Sequence, residues 1–137
     1  MKLDINRWIK IGLWNLGSVT QEVHNLIDNI PTSISGTSLT GMADRSRDYA
    51  GRFIGVEIGS DSIDLKYQDI ILNGTIARLV KPLALQGGDA SKIKLGDFTI
   101  DKTNSSSIDA AAAYYNELVD DDLNLIGRKV SHYQLFG

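Results

Sequence analysis

Near the carboxyl end of the chain, Ile108, Ala112, Tyr115, Val119, Leu123 and Ile126 recur at steps of three and four residues. That spacing puts them on one stripe of an α-helix, and such a stripe is stable only when another element covers it. Ser106 with Asp109 has the spacing of a helix amino terminus, so the pattern predicts a helix from there to a stop at Gly127. Arg128 and Lys129 then sit where cations complement the carboxyl end. The pattern recurs upstream. Ser18 with Gln21 caps a helix carrying Val19, Val23, Leu26, Ile27 and Ile30, which Pro31 ends because the residue before proline is pushed out of the helical region. Thr32 to Gly41 is rich in Ser, Thr and Gly and reads as a loop. A second helix over Thr40–Ile54 would bury Met42, Ser46, Tyr49, Ala50 and Phe53. Between Gly55 and Gly59, Val56 and Ile58 suit a short extended piece. A third helix from Ser60–Ser62 to about Lys81 would bury Ile63, Tyr67, Ile70, Ile71, Ile76, Leu79 and Val80, with Gly74 in its middle and Pro82 as a kink or stop.

One stretch breaks the helical period. Ile93, Leu95, Phe98 and Ile100 alternate with Lys92, Lys94, Thr99 and Asp101 around Gly96-Asp97, which predicts two short strands about a turn. The expected fold is therefore mainly α: a small helical bundle with a short β-hairpin or extended loop before the last helix. Residues 1–17 read as an amino-terminal arm, 18–130 as the helical domain and 131–137 as a carboxyl-terminal tail. The arm contains Trp8 and Trp14 but follows no single period, so a short helix and an extended strap both remain open, as do packing on the body and docking on another subunit. Tyr133, Leu135 and Phe136 give the tail apolar side chains with no body of its own.

The sequence offers little catalytic equipment. Among 137 residues there is no cysteine, which removes thiol chemistry, disulfides and cysteine-based metal sites. His24 and His132 lie far apart and form no local metal-binding pair. Asp120-Asp121-Asp122 point about 100° apart on a helix and do not converge on one ion. Gln86-Gly87-Gly88-Asp89 lacks the Gly-Lys-Ser/Thr ending of a phosphate loop, and no Gly-x-Ser-x-Gly elbow is present. No enzyme activity and no cofactor are expected. Fourteen Lys and Arg against seventeen Asp and Glu give a net charge of −3, which does not favour a polyanion. Arg45, Arg47 and Arg52 nonetheless make the second helix locally basic, with Lys66 and Arg78 on the third, and Asp44 and Asp48 interleave as partners for intrahelical pairs. The three arginines are candidates for a sequence-independent phosphate contact only. The first sixteen residues carry Lys2, Asp4, Arg7 and Lys10, and no apolar run reaches membrane-spanning length, so the expectation is a chain folded in a cytoplasm with no membrane partner.

The segment Lys92-Ile93-Lys94-Leu95-Gly96-Asp97-Phe98-Thr99-Ile100 resembles a recurring element of the head–tail adaptor (connector) proteins of tailed bacteriophages. Those proteins carry a lysine, an Ile or Leu followed by Gly-Asp, an aromatic residue, a small hydroxyl residue and Val or Ile. The order of elements over roughly Ser18 to Ile126 is also similar: early helices, a long helix, the extended element, a Ser-rich linker and a last helix. The Trp-containing first segment, Pro31 and Pro82 lie outside that pattern. The resemblance implies a non-enzymatic virion protein, part of a ring, usually of twelve subunits, below the portal protein. Such a ring extends the DNA channel and receives the next head-completion or tail protein. Localisation would be the virion neck, after assembly in the host bacterial cytoplasm. The resemblance further implies that Gly96 permits the chain reversal, Asp97 holds the turn and Phe98 buries against the helices. Interface residues expected for neighbouring copies or the portal are Trp8, Trp14, Leu95, Gly96, Asp97, Phe98, Ile100, Tyr133, Leu135 and Phe136, with Arg45, Arg47 and Arg52 as candidate DNA-channel contacts. Two other readings stand beside it: a small helical nucleic-acid-binding or regulatory protein, and another phage neck or tail-completion protein.

Overall fold

Asn15 starts the first helix, α1 (Leu16–Leu26), by reciprocal bonding: its side-chain oxygen accepts from Ser18 N at 3.1 Å, and Ser18 Oγ accepts from Asn15 N at 3.3 Å. The box thus opens three residues before the expected Ser18 cap, and Ser18 is its third helical residue. The computed structural model describes residues 14–27, 30, 33–86, 92–95 and 98–136, with Gln86, Phe98 and residues 128–136 described by their backbone alone. Val19 and Val23 bury the inner face of α1, while Leu26, expected on that stripe, is exposed. The backbone turns extended at Ile27, ahead of Pro31.

Helix α2 (Gly36–Ile54) begins within the stretch expected to be a loop, because Ser35 Oγ accepts from Ser38 N at 3.1 Å and so supplies the cap. Starting at Gly36 brings Leu39 onto the inner face, which it shares with Met42, Ala43, Ser46, Ala50 and Ile54. Tyr49 and Phe53, expected inside, lie at the edge of that stripe and are 43% and 47% exposed. Gly55 ends the helix in the left-handed region (φ 84°), donating its N–H to the Gly51 carbonyl at 2.8 Å. Val56 and Ile58 form no strand, although Ile58 is buried.

A single 3-10 turn, Leu65–Tyr67, precedes helix α3 (Gln68–Gln86). This helix starts later than expected and runs through Pro82. The proline has no N–H for the Arg78 carbonyl, but Val80, Leu83 and Ala84 around it stay buried and hold the helix on course. Ile70, Ile71, Thr75, Ile76, Leu79 and Val80 are buried on several sides of α3, which makes it the central element, packed against α1, α2 and the last helix.

Strands β1 (Lys92–Leu95) and β2 (Phe98–Asp101) pair antiparallel, with Ile93 opposite Ile100 and Leu95 opposite Phe98. The predicted hairpin is therefore present before the last helix. Asn104 Oδ1 then accepts from Ser106 N at 2.9 Å and opens helix α4 (Ser105–Phe136). The expected stop at Gly127 does not occur. A glycine costs a helix interior about 1 kcal/mol, too little to end it, and residues 131–136, expected as a separate tail, continue α4. Two buried clusters meet along α3: one joins α1, α3, the hairpin and Tyr115 of α4, and the other joins Trp14, α2 and the Val119–Leu123 side of α4.

Helices α2 and α3 approach closely at Gly74. A Cβ there would lie 2.9 Å from Ser46 Oγ and 3.0 Å from Ser46 Cβ, so α2 and α3 meet nearly backbone to side chain. Replacing Gly74 by Ala improves helix propensity by about 1 kcal/mol, yet overpacking costs about 1–3 kcal/mol, so the variant should melt below the parent in thermal unfolding. Ser46→Gly in the same background should recover part of the loss. A Gly74→Ala chain that melts higher than the parent would refute the tight crossing.

Candidate functional site

The structure turns several expected interface residues inward. Trp14 is 4% exposed, packs with Val19, Ala43, Ala50 and Ile54, and accepts from Ile63 N through its carbonyl at 2.6 Å. Packing on its own body removes it as a docking residue. Leu95 and Ile100 are fully buried, and Tyr115 Oη donates to the Leu95 carbonyl at 3.2 Å. A two-stranded hairpin has no second sheet to cover its apolar face, so the helices take those side chains and neither is free for a neighbour. Phe98 contributes its backbone to β2, and Tyr133, Leu135 and Phe136 lie on the α4 extension. Trp8, Gly96 and Asp97 lie outside the described residues.

The three arginines of α2 separate into different environments. Arg47 Nη2 pairs with Asp44 at 2.8 Å and Nη1 donates to the Ile58 carbonyl, so its charge is used within the chain. Arg52 Nε pairs with Asp48 at 3.0 Å on the surface, a contact of small energetic weight. Both border an open depression of about 350 Å³ with Gly51, Gly55, Val56 and Glu57. Arg45 is exposed and has no ion pair among the described residues. Its company is Arg78 of α3, whose Nη1 donates to Ser46 Oγ at 3.1 Å and to the Gly74 carbonyl at 3.3 Å across the tight crossing. Partial burial holds the Arg78 guanidinium below its ordinary pKa, the Arg45 charge adds to this and Tyr49 opposes it. Tyr49 and Phe53 continue the corner along α2, with ring centroids 6.3 Å apart. Arg45 alone keeps the expected character of an available cation. Arg78, read in the sequence only as part of a basic surface, joins it because Ser46 and Gly74 are small enough to bring α2 and α3 together.

The opposite charge collects elsewhere. Asp120 and Asp121 are exposed, as their positions off the stripe predict. Asp122 is half-buried, and burial first, then Asp69 of α3 and Asp121, push its carboxyl above the ordinary value. Among the described residues no group of three or more His, Cys, Asp or Glu is placed to hold a metal ion, and no helix is long and apolar enough to cross a membrane. His24 is exposed on α1.

A raised folded pKa means that ionising Asp122 works against the folded state. The penalty is absent below the ordinary carboxylate range and complete above the raised value. Asp122→Asn should therefore raise the melting temperature at pH 7, and the gain should vanish in melts recorded under acid conditions where the aspartate is neutral. A gain that persists unchanged in acid would assign the effect to packing instead. Comparison with models of known protein families, with curated proteins and with solved structures gives no match to this chain.

Proposed function

We propose that this chain is a non-enzymatic structural protein of a tailed-phage virion, a head–tail adaptor that forms a ring below the portal and extends the DNA channel. The observation that supports this reading best is the hairpin Lys92–Asp101. The segment that resembles the adaptor element forms a discrete antiparallel pair, with the Gly96-Asp97 pair between Leu95 and Phe98, after the long helix and before the last one. Its role here is internal, since Leu95 and Ile100 fasten it to the helices. Partners would meet other surfaces. The α4 extension beyond Leu123, the last fully buried side chain among the described residues of that helix, would offer one such surface, and the exposed edge of α2 another. The partners in this reading are the portal protein, neighbouring copies of the chain and the next head-completion or tail protein. The site of action is the virion neck, after assembly in the host cytoplasm.

A nucleic-acid-binding protein is the second reading, and it is favoured by one observation: Arg45 and Arg78 share a corner without an ion pair among the described residues. Against it, Arg47 and Arg52 are already paired and the net charge is −3. Co-sedimentation separates the two. The adaptor reading expects the chain to pellet with portal-containing particles and to show no useful affinity for free duplex DNA. DNA binding that weakens steeply as salt rises, with no particle association, would favour the second reading. Deleting residues 131–137, which lie beyond the described core, should leave helical circular dichroism and melting nearly unchanged while abolishing particle association. A truncated chain that still pellets with particles would remove the α4 extension from portal attachment.

A further inference from the structure

Among the described residues, two regions of like charge stand without an ion-pair partner, and they have opposite signs. On one side, Arg45 of α2 and Arg78 of α3 meet at the helix crossing, where Arg78 is pinned by Ser46 and Gly74 and neither arginine has a carboxylate partner among the described residues. Tyr49 and Phe53 extend this corner as a half-exposed aromatic strip. On the other side, Asp69 of α3 lies near Asp122 of α4, and the exposed Asp121 adjoins Asp122 in the chain.

Helix geometry places these regions back to back. Asp69 and Arg78 are nine residues apart on α3, so they project about 180° from one another and about 14 Å apart along the axis. On α4, Gly127 faces Phe53, the ring being 3.8 Å from where a Cβ would stand, whereas Asp122 faces Asp69. Five residues separate Asp122 from Gly127, about 140° around the helix, so the acidic edge lies across the buried stripe from the edge that meets α2.

We propose that the Arg45–Tyr49–Phe53 face with Arg78 binds the acidic edge, Asp69, Asp121 and Asp122, of a second copy of this chain. The arrangement rests on the ring reading above and names the surfaces that would close such a ring. Arginine and half-exposed aromatic rings are the side chains that dominate protein interfaces, and a net charge of −3 disfavours a polyanion as occupant. The acidic edge supplies carboxylates of the shape an arginine fork accepts. Because the two faces differ and lie on opposite sides, the contact is head-to-tail, the type that generates rings or filaments rather than closed two-fold dimers.

Sedimentation velocity of the full chain at about 50 mM and about 500 mM salt tests this, since screening over a shorter Debye length should dissolve the contact. The chain should self-associate at low salt, and high salt should weaken the association about tenfold or more. Arg45→Glu and the double variant Asp69→Arg/Asp121→Arg change only exposed residues and should keep the parent circular dichroism. Each should stay monomeric alone, and an equimolar mixture should associate again, because every junction in it joins opposite charges. A parent that remains monomeric at low salt, a single variant that associates like the parent, or a mixture that fails to associate would overturn the proposal. Failure of the functional reading is read separately. Particles whose necks carry rings of the Arg45→Glu chain would overturn this interface alone, whereas necks that lack the parent chain would overturn the ring reading and leave the solution result standing.

Discussion

Helix α3 has too much apolar surface for one neighbour to cover. Its buried residues run from Ile70 to Ala84 on several sides, so α1, α2 and α4 each cover part of it, and the hairpin, packed on α4, joins the same core. That need explains the other elements. The hairpin lies against helices rather than adding a sheet layer, which is why Leu95 and Ile100 lose all exposure. Helix α2 can approach closely only where side chains are small, at Ser46 facing Gly74, and that contact lets Arg78 reach across to Ser46. Thr75, the buried hydroxyl on α3, donates back to the Ile71 carbonyl at 2.7 Å, so its polarity is satisfied within the helix.

Much of this plan was legible in the sequence because period and burial agree. Val19 and Val23, the Ile70–Ile71 pair, and Tyr115, Val119 and Leu123 all bury the faces that their spacing implies, whereas Ala111 takes the fully buried place expected for Ala112. The hairpin was legible because Lys92 to Asp101 alternates in a chain otherwise of helical period. The differences arise where a local signal competes with packing. Ser, Thr and Gly at 32–41 read as a loop, yet Ser35 spends its hydroxyl as a cap and the helix begins at Gly36. Pro82 and Gly127 are stop signals in isolation, but neither outweighs a helix already committed on both sides. Tyr49 and Phe53 fit the α2 stripe by spacing, and Leu39, Ala43 and Ile54 displaced them from its centre.

The candidate surface was less legible than the fold, for a physical reason. Charge availability depends on partners brought together from different helices, and spacing along one helix records only part of it. Spacing puts Arg45 and Arg52 on one face and turns Arg47 elsewhere, but it takes the fold to show that Ile58 and Asp44 claim Arg47, Asp48 claims Arg52, and Arg45 is left beside Arg78. Likewise the spacing of Asp120-Asp121-Asp122 shows only that they do not converge on one ion, and it takes α3 to set Asp69 against Asp122. Trp14, Leu95 and Ile100, expected at interfaces, thus belong to the core, while the exposed surface among the described residues includes an aromatic and arginine edge and an acidic edge.

The central claim is that this chain acts as a ring subunit at the head–tail junction, and electron cryomicroscopy of particles or isolated necks addresses it most directly. The account predicts a ring of copies below the portal, with the hairpin buried inside each subunit and α4 of this chain traced in the density. A neck whose density is fully occupied by other chains, with this protein absent from the particle, would contradict it.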